Sequence, residues 1–135
     1  MKKIILMLSL AAAAMYVSCK KNTDAHVPPD LSFATGGSYT SADRTIVHGD
    51  SILVGVRIVK KEDDLRTLNI SYSYYGGSSI TWAPGSHTMT TAEYGGYSGD
   101  FRIVTRNQAG TEKWIFTVTD RDGNLAQKSI TLTVQ

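Results

Sequence analysis

The chain has a single cysteine, Cys19, in 135 residues. An intramolecular disulfide is therefore excluded, and a free thiol would be a liability in an exported protein. The chain also lacks an apolar run of the about 20 residues that a membrane-spanning helix needs. Its longest apolar run, residues 4–17, follows Lys2 and Lys3. A basic start followed by a short apolar region is typical of a removable export signal.

The chain after the predicted signal also lacks an excess of positive or negative charge. Lys and Arg number 14 and Asp and Glu number 12, and Lys2 and Lys3, which lie in the predicted signal, account for the difference. Nucleic-acid binding would require a clustered basic face, so we expect no nucleic-acid partner. No segment has a sustained helical period. After the signal the chain is rich in Thr, Ser, Gly and Tyr, a composition typical of β-structure.

Residues 16–19, Tyr-Val-Ser-Cys, follow the apolar run directly. They resemble the lipobox of bacterial lipoproteins, in which an aliphatic residue, a small or aliphatic residue, and Gly, Ala or Ser precede the cysteine. Val17, Ser18 and Cys19 match the pattern, whereas Tyr16 replaces the usual Leu, a looser version that Bacteroidota lipoproteins tolerate. The resemblance implies cleavage before Cys19, a diacylglyceryl thioether on its sulfur, and acylation of the new N-terminus, for example by palmitate.

The resemblance predicts a lipid-anchored protein of the cell envelope, at the outer membrane of a Gram-negative bacterium. The alternative is an ordinary secretory signal in which Cys19 is incidental. We divide the chain into a signal peptide (residues 1–18), a lipidated flexible tether (19–30) and one β-domain (31–135). The tether is polar, has no periodicity and ends in two prolines. The residues leave open whether the domain faces the periplasm or the exterior.

From Leu31 onward apolar and polar residues alternate, which indicates strands with one buried face. Gly-rich or charged turns interrupt this alternation about every ten residues. The pattern predicts a single antiparallel β-sandwich of seven to nine strands, with residues 94–100 as a loop. The predicted inward side chains are Leu31, Phe33, Ile52, Val54, Val56, Ile58, Leu68, Ile70, Tyr72, Tyr74, Phe101, Ile103, Trp114, Phe116, Val118, Ile130, Leu132 and Val134.

The C-terminal half resembles bacterial immunoglobulin-like domains. The residues that carry this likeness are the strand 114–119, the turn 120–124 and the last strand 129–134. The resemblance implies an immunoglobulin-like sandwich without the inter-sheet cysteine pair of antibody domains. It says almost nothing about function, because this fold supports many different roles.

A weak candidate metal site lies in the turn at Asp120, Asp122 and Asn124, where alternate oxygen ligands could hold calcium. The calcium-loop pattern requires Gly at the sixth position and Glu at the twelfth, and this chain has Leu125 and Thr131 there. Asp-Gly is instead a strong hairpin signal. We therefore favour a hairpin turn and expect no metal and no cofactor.

The sequence contains no recognisable catalytic motif. His26, His48 and His87 share no metal-ligand spacing, and no nucleophile elbow or phosphate-binding loop is present. We therefore predict that the protein is not an enzyme.

Four aromatic residues are the candidate ligand-binding residues: Tyr94 and Tyr97 among glycines, Tyr75 before Gly-Gly, and Trp82 before Pro-Gly. Such rings could dock a protein or stack on a sugar. The alternative is that the glycines make turns and the rings cover the rim of the core. Two functions follow: a protein-interaction or structural envelope module, and a carbohydrate-binding accessory lipoprotein of a nutrient-uptake system. One exposed platform of Tyr94, Tyr97 and Trp82 would favour the second.

Overall fold

The computed structural model describes residues 24–135, so the predicted signal peptide and Cys19 lie outside the described residues. The described chain forms nine strands and two short 3-10 turns, at Ala83–Gly85 and Thr91–Glu93. None of its helical turns is long and apolar enough to cross a bilayer. The strands are β1 (Asp30–Phe33), β2 (Arg44–Ile46), β3 (Ser51–Val59), β4 (Leu65–Tyr74), β5 (Ile80–Thr81), β6 (His87–Thr88), β7 (Gly96–Val104), β8 (Gly110–Asp120) and β9 (Leu125–Val134).

Two sheets make up the domain. One has the order β1-β3-β7, and the other has the order β2-β9-β8-β4-β5, with β6 also paired to β4. The orders β1-β3-β7 and β9-β8-β4 are those of strands A-B-E and G-F-C in an immunoglobulin domain. The predicted all-β, immunoglobulin-like sandwich is therefore confirmed.

One strand pair departs from the antiparallel expectation, because β2 runs parallel to β9, and the isolated bridge between Tyr39 and Leu53 is parallel too. The segment that follows β1 crosses from the first sheet to the second and there enters alongside the last strand. The Asp43 carboxylate accepts a hydrogen bond from the N–H of Thr131 at 2.8 Å, and the N–H of His48 donates to the carbonyl of Gln135 at 2.9 Å. These bonds hold β2 in its parallel position.

The core lies between the sheets and consists mainly of the side chains that alternation assigned inward. Phe33, Tyr72 and Phe101 are partly buried and pack against it. Phe116 joins the two sheets, since its ring meets Phe33 edge-on at 5.2 Å. The buried apolar residues are Leu31, Ile46, Ile52, Val54, Val56, Ile58, Leu65, Leu68, Ile70, Met89, Ile103, Trp114, Phe116, Val118, Ile130, Leu132 and Val134.

The prediction that residues 94–100 form a loop is wrong from Gly96 onward. Strand β7 begins there and pairs with β3 over its whole length, from Val59↔Gly96 to Ser51↔Val104. The glycines suggested a loop because their β-propensity is low. Pairing with a long neighbouring strand outweighs that local preference.

The loops gather at two ends of the sandwich. We call the end formed by residues 60–64, 89–95 and 121–124 the entry end, because β1 begins beside it, with Asp30 opposite Val59. We call the end formed by residues 47–50, 75–79 and 105–109 the far end. Strand β4 runs from the first to the second, a distance of about 30 Å at about 3.3 Å per residue.

Candidate functional site

Trp82 is half-buried against the core. Its ring meets Trp114 edge-on at 5.5 Å and Phe101 at 6.4 Å. The ring also lies directly over Gly85, where a Cβ atom would be only 2.2 Å from it. Trp82 thus closes the edge of the core above the Ala83–Gly85 turn.

Tyr97 points inward from β7 and is half-buried. Its ring stacks on His87 with centroids 4.9 Å apart, and burial, followed by the nearby Glu93 charge, raises the pKa of its hydroxyl. The Tyr97 side chain is therefore mainly a packing element.

His87 forms a local pair with Glu93, its Nε2 lying 2.8 Å from Oε2. The same carboxylate oxygen accepts bonds from the N–H and hydroxyl of Thr90. These contacts, the Thr90 N–H first and then His87, lower the Glu93 pKa to about 2. The carboxylate thus caps the Thr91–Glu93 turn.

Ser86 is the one serine close to this histidine in sequence, but its hydroxyl has other partners. Its Oγ accepts the N–H of Ile70 at 3.1 Å and lies 3.1 Å from the carbonyl of Trp82. Ser86 and His87 both line a shallow cavity of about 270 Å³. A nucleophile needs its base within hydrogen-bond reach, and none of the Ser86 contacts involves His87. The contacts of Ser86 therefore stabilise the fold and do not form a nucleophile–base pair.

Tyr94 lies at the entry end and is 37% exposed. Its carbonyl accepts the N–H of Leu65 at 2.9 Å, and its ring borders a shallow cavity of about 200 Å³. Across that cavity, Asp64 lies 2.8 Å from Lys60 Nζ and 3.5 Å from Arg121 Nη1. The Lys60 hydrogen bond is the main cause of the lowered pKa of Asp64.

Tyr75 lies at the far end, is 59% exposed and has a φ of +52°. A left-handed backbone is uncommon for a residue other than glycine. The hydroxyl of Tyr75 donates to the carbonyl of Ala109 at 2.6 Å. Its ring covers Gly110, where a Cβ atom would be 2.3 Å away.

Arg106 connects Tyr75 to the interior. Its guanidinium carbon lies 3.6 Å from the ring centroid of Tyr74 and 4.9 Å from that of Tyr75. Its Nε lies 3.4 Å from Glu112, while its buried Nη2 has no hydrogen-bond partner within residues 24–135. The cation–π contacts partly offset that missing bond.

Glu112 is fully buried. Its carboxylate accepts bonds from the Arg106 N–H at 2.8 Å and the Trp114 Nε1 at 3.3 Å. Glu112 and the buried Asp120 lie in the same period-two phase as Trp114 and Phe116. The apolar pattern predicts neither acid to be buried, because it assigns only apolar side chains to the inner face. Applying the same two-residue alternation to both ends of β8 would have predicted that Glu112 and Asp120 face inward.

The three residues of the weak metal candidate do not form one ligand set. The Asp120 carboxylate accepts the Asn124 N–H at 2.8 Å and the Asn124 side-chain amide at 3.0 Å. Both residues thus close the turn between β8 and β9, as the hairpin interpretation predicts. Asp122 is exposed beyond them.

Asp122 instead meets Asp63 and Asp24, whose carboxylate oxygens all lie within 4.8 Å of one another. Desolvation, then the charges of Asp122 and Asp24, raise the pKa of Asp63. The neighbouring Glu62 accepts the N–H groups of Ala25 and Val27, which brings Asp24 to this loop. Exposed carboxylates often gather without a cation, and desolvation together with these neighbouring charges accounts for the raised pKa of Asp63.

The four candidate aromatic residues do not share one platform. Trp82 and Tyr97 pack against the core, while Tyr94 and Tyr75 lie at opposite ends of β4. Tyr75 is the most exposed of the four and is supported by a charged side chain, Arg106.

No family model matches the chain, and no curated protein matches it. Among solved structures, murine CRIg is similar over 81% of this chain and 99% of its own, with 14% identity and a TM-score of 0.42. A chain of the CaDoc0917–CaCohA2 complex is similar over 79% of this chain and 99% of its own, with 16% identity and a TM-score of 0.38. At these values neither likeness transfers an activity or a partner.

Proposed function

We propose that the chain is a lipid-anchored, non-catalytic interaction module of the bacterial envelope that binds a protein partner at its far end. The observation that carries this proposal is the exposed, conformationally fixed Tyr75 beside Arg106. The lipobox-like Cys19 precedes the entry end in sequence. An anchor there holds the entry end towards the membrane and turns Tyr75 away from it.

Tyr75 is suited to binding because it is held before any partner arrives. Its positive φ, its hydroxyl bond to Ala109 and the neighbouring Arg106 restrain the ring while most of the residue stays exposed. Pre-organised side chains lose less conformational entropy on binding. Tyr and Arg are also enriched among the residues that dominate protein–protein affinity.

A protein partner is better supported than a glycan. The sugar-binding alternative relies on a platform of Tyr94, Tyr97 and Trp82, and two of those rings are engaged in the core. A single Tyr beside an Arg offers one stacking face, whereas a protein can add contacts to Val47, which is 58% exposed in a neighbouring far-end loop.

The test is photo-crosslinking in intact cells, with a photoreactive amino acid in place of the exposed Ser78. We expect a discrete protein adduct that Tyr75→Ala abolishes and that Tyr94→Ala, the matched change at the entry end, leaves intact. Once the partner is purified, Tyr75→Ala should raise its Kd by roughly thirtyfold, the effect of a residue worth about 2 kcal/mol.

An adduct that is insensitive to Tyr75→Ala would contradict this site. Binding to a polysaccharide panel that is lost in Tyr75→Ala, without any protein adduct, would establish the carbohydrate function instead.

The anchor has its own test. Cells grown with an alkyne fatty acid should label the wild-type chain, and Cys19→Ala should remove the label and release the protein from the membrane fraction. Label that persists in Cys19→Ala would show that Cys19 is not the lipidated residue.

A further inference from the structure

Strand β7 is the last strand in the order β1-β3-β7, so one of its two edges pairs with no other described strand. It is a regular strand, Gly96–Val104, whose register with β3 contains no shift. Edge strands in soluble proteins are usually short, bulged, interrupted by proline or lined with charges, above all lysine. Strand β7 is long and regular, and its two exposed charges, Asp100 and Arg102, are of opposite sign, so its edge can serve as a template for pairing with another strand.

The hydrogen-bond pattern identifies the free backbone groups. The N–H of Thr105 donates to the carbonyl of Asp50, and the N–H of Lys60 donates to the carbonyl of Gly95. Because bonded pairs alternate along antiparallel strands, odd-numbered residues of β7 bond to β3. The N–H and C=O groups of the even-numbered residues therefore point to the free edge. These residues are Gly96, Ser98, Asp100, Arg102 and Val104, and all five are exposed.

We infer that this edge pairs with the same edge of a second copy of the chain, about a two-fold axis beside Phe101. In that register Asp100 lies opposite Arg102 of the second copy, and Arg102 lies opposite its Asp100. Ser98 and Val104 are opposite each other in the same way. All of these are even-numbered residues, so their free N–H and C=O groups meet in about four hydrogen-bonded pairs.

Charge selects this register over its neighbours. A symmetric shift in one direction places Asp100 opposite Asp100, and a shift in the other places Arg102 opposite Arg102. Like charges directly opposite each other destabilise a strand pair, whereas opposite charges stabilise it. The strand is thus complementary to itself in one arrangement, as a two-fold interface requires.

Contacts within each chain hold both charges on the outer face of the sheet, where Arg102 Nη1 donates to the Ser51 hydroxyl at 3.0 Å. Asp100 already accepts hydrogen bonds from Arg57 Nη1 at 3.1 Å and from the Tyr39 hydroxyl at 2.9 Å. Arg102 of the second copy would complete a row of alternating charges on the outer face. On the inner face, the half-buried Phe101 would meet its own counterpart, and the two three-stranded sheets would become one continuous sheet.

Disulfide trapping of the full-length chain in its host tests the register. Ser98→Cys together with Val104→Cys should give a disulfide-linked dimer, because the two cysteines lie opposite each other across the axis. The pair is six residues apart on one extended strand, roughly 20 Å, so it cannot close within a chain. The single variants Ser98→Cys and Val104→Cys keep both charges and should crosslink far less, because in this register each position lies roughly 20 Å from its own counterpart. Cys19 is common to all variants.

Charge exchange tests the cause. In the Ser98→Cys/Val104→Cys background, Arg102→Asp should lower the dimer yield roughly tenfold, because it turns both opposite-charge pairs into like-charge pairs. Adding Asp100→Arg to that variant restores both opposite-charge pairs and should recover part of the yield, because the new guanidinium also lies beside Arg57 of its own chain. Both cysteine positions are exposed, and thermal unfolding followed by circular dichroism checks that each variant is folded.

Equal dimer yields from the double-cysteine variant and the single-cysteine variants, or no effect of Arg102→Asp, would overturn the inference. A disulfide to a different protein at this edge would also overturn it. None of these outcomes bears on the far end, since self-pairing at β7 does not depend on the function proposed for Tyr75.

Discussion

Glu112 is a buried side chain whose carboxylate is stabilised by hydrogen-bond donors. No part of it reaches solvent, yet it accepts bonds from the Arg106 backbone and from Trp114 Nε1. A buried charge is tolerated when it is paired and fully hydrogen-bonded. Glu112 therefore fixes the β7–β8 connection and, through Arg106, the ring of Tyr75.

We predict that Glu112→Gln destabilises the protein by about 3–5 kcal/mol. The substitution leaves Arg106 without its counter-charge, and it directs the NH₂ group of the new amide at hydrogen-bond donors. Urea unfolding measures the change. Lys113→Gln, on the exposed side of the same strand, serves as the control and should change stability by less than about 0.5 kcal/mol. A similar loss in both variants would refute a special role for Glu112.

Gly85 shows how one missing Cβ positions an aromatic ring. Trp82 occupies the space a side chain would fill, and Ile70 lies 2.9 Å from the same point. We predict that Gly85→Ala costs about 1–3 kcal/mol through overpacking. Gly95→Ala, where a Cβ would meet nothing within 4 Å, is the matched control. Thermal unfolding compares the two, and equal melting temperatures would contradict this explanation.

The loops of the entry end place like charges together. The raised pKa of Asp63 means that the folded state favours its protonated form. The stability cost of ionised Asp63 is therefore absent below the ordinary Asp pKa and appears as the pH rises through the raised pKa.

We predict that Asp63→Asn raises the melting temperature at pH 7 and leaves it almost unchanged near pH 3. The measurement is a pair of pH-dependent melting curves in EDTA, so that no divalent cation screens the carboxylates. Asp30→Asn removes an equal charge outside the cluster, beside Lys61, and should give no gain. If Asp63→Asn lowers stability at neutral pH, the carboxylates do not repel one another as described.

At the element level, alternation located the long strands well, because each buried side chain is two residues from the next. The Asp-Gly hairpin at residues 120–124 was confirmed for the same local reason. The first five residues of β7 were predicted as a loop, because Gly96 and Gly99 have low β-propensity. Pairing with β3 makes them part of a strand. Tyr97, which was predicted to lie in a loop, is accordingly an inward-facing residue of β7.

The whole molecule depends on contacts between its two sheets. Phe116 in the second sheet meets Phe33 and Phe101 of the first. We predict that Phe116→Ala destabilises the sandwich by about 3–5 kcal/mol, whereas Phe116→Leu costs about 1.5 kcal/mol or less. Urea unfolding of both variants provides the comparison. A cost below about 1 kcal/mol for Phe116→Ala would show that the sheets do not depend on this ring.

The order of residues is sufficient to predict the fold class, the long inward faces and the last hairpin. These features follow from spacings of two residues and from the conformations that Asp and Gly favour in a turn. The lipobox pattern around Cys19 is also local, and it remains a prediction about the residues before the domain.

Other features depend on residues far apart in sequence that meet only after the sheets form. The parallel approach of β2 to β9, the Arg106–Glu112 contact under Tyr75 and the cluster of Asp24, Asp63 and Asp122 are of this kind. Strand pairing and sheet packing decide such contacts, and no short sequence pattern encodes them. The separation of the candidate aromatic residues has the same cause, because Tyr75 follows the end of β4 whereas Tyr94 bonds to Leu65 at its start.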